Sequence, residues 1–115
     1  MKVTIAWWNL AESEQTIESL REYLHDEGVA PWDNVEGLCL KLWIADPEHD
    51  RWGAIMVWES DDSDQQPLPP NKAADLIGYP PTQRAAFEIE ATAQGEFSLP
   101  SLAGVGPALD ARSQS

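Results

Sequence analysis

The sequence predicts an α+β fold in which a four-stranded antiparallel sheet carries two helices on one face. Three observations predict it. Alternating runs stand at residues 2–8, 34–59 and 86–93; an amphipathic helical stripe falls between the first two; and a short helical segment precedes the last. The 115 residues suit one domain, which buries roughly two-thirds of the surface its unfolded chain exposes. Hydrophobic content of 43%, with six tryptophans, is ample for a packed core.

The first strand, residues 2–8, sets Val3, Ile5 and Trp7 on one face and Thr4, Ala6 and Trp8 on the other. Ser13 and Thr16 are N-cap candidates for the first helix, and Glu12 and Glu14 suit its positive end. Ile17, Leu20 and Leu24 form a narrow stripe that would lie on a sheet, with the helix running to about residue 26. Gly28 is its expected C-cap, and Pro31 blocks continuation. Strands over 34–45 and 51–59 follow, joined by Asp46-Pro47-Glu48-His49-Asp50, a turn opened by Asp-Pro. Residues 59–66 make an acidic loop stiffened beyond it by Pro67, Pro69 and Pro70. Asn71 caps a short second helix ending at Gly78 and Pro80-Pro81. The last strand, 86–93, alternates Phe87, Ile89 and Ala91 with Glu88, Glu90 and Thr92, and its one polar face suits a sheet edge. The domain therefore covers 1–95. Residues 96–115, rich in Ser, Gly, Ala and Pro, form a tail expected to be flexible, although Phe97, Leu99 and Leu102 are candidates for docking on the body.

Strand, helix, strand, strand, helix, strand, with right-handed crossovers, is the ferredoxin-like βαββαβ pattern. A three-strand meander with an appended helix would leave the last alternating segment without a partner. The hairpin adds a further constraint. Leu38, Leu40, Leu42 and Ile44 point one way and Cys39, Lys41 and Trp43 the other; Ile55 and Val57 oppose Trp52, Ala54, Met56 and Trp58. Both faces are apolar, so both need a cover. Two helices cover one. Each Trp or Leu buried on the other is worth roughly 1.5–3 kcal/mol, which favours a homodimer with the sheets face to face, a dimeric α+β barrel.

A formal net charge of −13 repels phosphate backbones and anionic lipid, which argues against nucleic-acid and membrane-surface roles. No apolar run approaches the roughly 20 residues of a membrane span. The start has one positive charge and a short apolar run without the pattern of a secretory leader, so a cytoplasmic location is expected. Cys39, the single cysteine, permits no intrachain disulfide and no cysteine metal cluster, and beside leucines it reads as a small buried hydrophobe. His25 lies roughly 110° from the centre of the helical stripe and His49 lies in the hairpin loop; neither is placed as a general base, and together they make no metal-ligand pattern. Asp61, Asp62 and Asp64 lack the glycine and terminal glutamate of a calcium loop and read as a solvated segment. No metal is expected. Without Gly-x-Gly-x-x-Gly or a phosphate-binding loop, a flavin or nicotinamide has no cradle, so no cofactor is expected either. Gly-x-Ser-x-Gly is likewise missing.

The hairpin resembles that of the YdhR-like monooxygenases, a family of dimeric α+β barrel proteins related to the antibiotic-biosynthesis monooxygenases. The likeness rests on Gly37, the Lys41-Leu42-Trp43 step, a loop of similar length and the strand from Gly53 to Trp58. Leu76-Ile77-Gly78-Tyr79-Pro80-Pro81 leading into Phe87-Glu88-Ile89-Glu90-Ala91 also looks like this family, so the resemblance spans most of residues 1–95. It implies the barrel, a pocket between sheet and helices in each subunit, and cofactor-free oxidation of an electron-rich aromatic or polyketide-like anion by dioxygen. The second helix has no histidine for an axial haem ligand, which weighs against the haem-degrading relatives of the barrel group.

Such chemistry needs a dry aromatic cavity, a proton acceptor and a donor for the developing anion. Trp43 and Trp58, then Trp8, are the candidate walls, against the plain alternative that they fill the core. Lys41, a lone charge inside an apolar strand, is the leading polar candidate for holding a phenolate or enolate. Its competing reading is a stem lying across Trp43 with its head in water, or an ion pair with a neighbouring strand. Tyr79, in a rigid turn between Gly78 and Pro80, either closes a pocket mouth or plugs the core. Glu88 and Glu90 read as solvated edge carboxylates. The functional expectation is a homodimeric, monooxygenase-like protein acting on a small aromatic compound. The alternatives are a non-catalytic small-molecule-binding or stress-associated dimer of the same fold, and an adaptor that uses the acidic loop and tail.

Overall fold

β1 (Lys2–Asn9) is an inner strand, antiparallel to β3 (Arg51–Trp58) on one side and to β4 (Gln83–Glu88) on the other. β2 (Leu38–Asp46) pairs antiparallel with β3, giving the order β2-β3-β1-β4. With α1 (Ile17–Tyr23) between β1 and β2, and α2 (Lys72–Ile77) between β3 and β4, the chain is α+β with a four-stranded antiparallel sheet. This architecture is that of a computed structural model, which describes residues 1–60, 66, 72–96 and 106–108. Asp61, Asp62, Asp64, the three prolines after them, Asn71, Phe97, Leu99 and Leu102 lie outside the described residues.

α1 starts at Thr16 because two side chains satisfy each other's backbone. Thr16 Oγ1 accepts from the Ser19 amide at 3.1 Å, and Ser19 Oγ accepts from the Thr16 amide at 2.9 Å, a reciprocal capping box. Ser13, the other cap candidate, instead donates to the Ile77 carbonyl at 2.8 Å and so ties the approach to α1 to the end of α2. Gly28 does not terminate the helical run: the chain widens into a π turn over Leu24–Gly28, Val29 remains right-handed, and a 3-10 turn over Ala30–Trp32 follows. Gly37, at φ 77°, makes the actual corner into β2, which therefore starts at Leu38 rather than residue 34. The hairpin loop is a 3-10 turn over Pro47–His49, closed by Asp50 in the left-handed region.

Two strands differ from expectation for reasons of register. β4 spans Gln83–Glu88, not 86–93, because its partner is β1: Gln83 faces Trp7, Glu88 faces Lys2, and only the Ile89 amide to Met1 carbonyl bond continues beyond. It is an edge strand, as its alternation implied. In β2, Leu38 faces Trp58 while Leu40 faces Val57, so Cys39 is the extra residue of a bulge. Leu38 is thereby moved off the face of Leu40, Leu42 and Ile44, and Cys39 is exposed rather than buried.

Among the described residues the core lies on one face of the sheet. Trp8 and Trp52 from the sheet meet Leu20, Leu24 and Ile77 from the helical segments, with Leu10 beside them; Ala6, Trp43, Ala45 and Tyr79 pack around this cluster. Ala108, beyond the expected domain limit at 95, also packs there. Cross-strand partners share a face, so the opposite face carries Val3, Ile5, Trp7, Leu40, Leu42, Ile44, Ile55, Val57 and Phe87. None of these nine belongs to the core cluster, and Leu42 and Phe87 are 39% and 55% exposed.

Candidate functional site

All five site candidates stand on the helix side, in two groups. At one end, Trp8 and Tyr79 hold each other: the Trp8 indole N–H donates to the Tyr79 carbonyl at 2.9 Å, and the Tyr79 hydroxyl donates to the Asn9 carbonyl. Thr82 extends the clamp, its amide and hydroxyl both donating to the Trp7 carbonyl at 2.8 and 3.1 Å. Gly78, at φ 105°, supplies the corner before it. With Trp8 buried and its polar atom satisfied, this group is built for packing.

The second group surrounds Lys41. The register places Lys41, Met56 and Thr4 in one row across β2, β3 and β1, with Trp43, Ala54 and Ala6 in the next row toward the core cluster. Trp58 stands in the row on the other side, flanked by Leu38 and Lys2. Lys41 Nζ lies 3.2 Å from the ring centroid of Trp32 and 4.8 Å from that of Trp43. Burial strips water from this ammonium and pulls its pKa from 10.5 down to about 7. The two indole faces act in the opposite sense, because their negative quadrupoles favour the cation. Among the described residues no ion pair forms on Lys41, so it is not half of a cross-strand salt bridge.

Trp32 was not legible as a site residue. It sits after Pro31 in a connecting turn, and only the tertiary path of the Ala30–Trp32 turn brings its ring over β2. The sequence signal for it was slight: one large aromatic in an otherwise small and polar connection. Trp58 is fully buried, and its indole N–H has no hydrogen-bond partner among the described residues; the Thr4 hydroxyl oxygen is likewise buried and unpartnered among them.

The remaining polar groups are engaged elsewhere. His25 Nδ1 lies 3.1 Å from Asp26, and His49 Nδ1 lies 2.9 Å from Asp46 at the hairpin tip. Arg51 grips the same Asp46 carboxylate through Nη2 at 2.7 Å and Nε at 3.2 Å, which holds that carboxyl below its usual range, with His49 adding to the effect. The Arg51 guanidinium also lies 4.4 Å from the Trp7 ring, on the face away from the helices. Glu88 and Glu90 are exposed. No group of three or more metal-ligating side chains occurs among the described residues, and no helix there is long and apolar enough to cross a membrane. No protein-family model and no curated protein matches the chain.

Proposed function

We propose that this chain is a ferredoxin-like subunit of a homodimeric α+β barrel, related to the YdhR-like monooxygenases, which binds a small electron-rich aromatic on the helix side of its sheet. One observation carries the reading: the sheet is apolar on both faces, and the described helices cover only the one that holds Lys41 between Trp32 and Trp43. The uncovered face is the seam for a second copy. The covered face keeps an amine next to flat aromatic walls, and once that amine carries a proton its attraction for an aromatic anion is stronger there than in water.

The chemistry that fits is cofactor-free oxygenation. Lys41, partly neutral near pH 7, takes the proton of a phenol. The resulting phenolate supplies the electrons to dioxygen, a carbon–oxygen bond forms on the ring, and cleavage of the oxygen–oxygen bond releases water. A phenol and one dioxygen thus give one quinone and one water, with no external reductant.

Oxygen uptake in the presence of hydroquinones and polycyclic phenols tests this. Wild type consumes oxygen faster than buffer, and Lys41→Met lowers the rate at least about tenfold. Uptake at the buffer rate with every phenol overturns the oxygenase reading. A non-catalytic binding dimer is the second reading, favoured by one observation: the contacts of Lys41 are indole faces, and both histidines are bonded to carboxylates of their own segments.

A further inference from the structure

A buried donor without an acceptor weakens a fold, and native structures keep few of them. Among the described residues two occur, on the same sheet face and one row apart: the hydroxyl of Thr4 and the indole N–H of Trp58. Thr4 shares its row with Lys41, two strands away or about 10 Å between Cα atoms, and Trp58 is about 7 Å along β3 from Met56, which stands between them. Lys41 brings a third donor whose contacts are the faces of Trp32 and Trp43. An indole N–H and an ammonium can only donate, and a hydroxyl can donate to any acceptor that arrives. The register positions between and beside the three are apolar: Met56, with Ala54 and Ala6 in the adjoining row.

We propose that Thr4, Trp58 and Lys41 form the polar end of a binding site for a small aromatic carboxylate. The inference rests on the helix side being a ligand site, and it does not depend on oxygen chemistry. A carboxylate has only acceptors, and its two oxygens suit an ammonium, an indole N–H and a hydroxyl turned to donate. The corresponding amide lacks the charge that pairs with the Lys41 ammonium and has one acceptor oxygen in place of two. It also brings two N–H groups for which only the Thr4 hydroxyl among the three groups can accept, so discrimination between acid and amide is built into the site. The apolar surface takes the ring. The donors are left unpaired in the free protein at a cost in stability that the ligand removes.

Two readings on the full chain at pH 6, where Lys41 keeps its proton, decide the matter. The probes are 4-hydroxybenzoate and 4-hydroxybenzamide. In the first reading, binding is followed by the indole N–H resonances, with that of Trp58 identified by its loss in Trp58→Phe. The carboxylate binds saturably, at least about tenfold tighter than the amide, and moves the Trp58 N–H signal downfield. In the second, Thr4→Val raises the Tm of the free protein by about 4–8 °C, because it removes an orphaned hydroxyl at nearly constant shape, while it weakens carboxylate binding several-fold. Absence of saturable binding overturns the proposal, as does equal affinity for acid and amide. So does Thr4→Val with unchanged binding, or a carboxylate complex in which the Trp58 N–H signal stays in place. Carboxylate binding without oxygen uptake sustains this inference and removes only the oxygenase reading.

Discussion

Lys41 shows how one side chain can be legible as a candidate while its environment is not. Its position was clear from the strand, since a single charge among Leu40, Leu42 and Trp43 stands out. The source of its desolvation was not, because Trp32 reaches it from a turn nine residues upstream. Cys39 failed for a related reason: alternation assumes an unbroken ladder, and the bulge that exposes it comes from pairing with β3. The Lys41 pKa has a thermodynamic consequence with a definite sign. Its folded value of about 7 lies below the ordinary 10.5, so between these values the unfolded chain binds more protons. Its contribution therefore makes the fold more stable as pH rises through that window, by at most about 1.4 kcal/mol per pH unit. In Lys41→Met this contribution is gone. Urea unfolding at several pH values from 7 to 10 should show wild type gaining on the variant as pH rises; parallel curves would mean that Lys41 titrates as a solvated lysine.

At the scale of elements, type was readable and boundaries were set by partners. The first strand, the helix from Ile17 and the hairpin follow from alternation, a stripe and an Asp-Pro turn. β4 could not be bounded from its own residues, because the length of β1 decides where its ladder ends. Gly53 has a physical role in the pairing of β1 with β3. A Cβ there would lie 2.5 Å from the Ala6 carbonyl oxygen on the neighbouring strand and 2.8 Å from Cε3 of the Trp7 ring. Backbone on an inner strand cannot yield, and the Trp7 ring has the Arg51 guanidinium against it. Gly53→Ala should destabilise the fold by about 1–3 kcal/mol in denaturant unfolding, despite alanine's usual advantage over glycine in strands. A neutral or stabilising result would show that β1 and β3 do not approach as closely as described.

For the whole molecule, the α+β class and the edge position of β4 were legible because the pattern of faces is global. The division of labour between those faces became visible only in three dimensions: Trp8, Trp52 and Trp43 face the helices, whereas Trp7, Ile55, Val57 and Phe87 face away. An apolar layer of that size gains from a partner of the same kind, and two copies of a chain with a net charge of −13 also repel, so association should strengthen with added salt. The proposed barrel, and with it the proposed activity, depends on that layer being closed by a second copy. Sedimentation equilibrium at micromolar concentration in about 0.15 M salt tests this most directly. The account predicts twice the chain mass of 12.8 kDa for wild type and the single-chain mass for Ile55→Lys. A wild-type chain that sediments at 12.8 kDa under those conditions contradicts it.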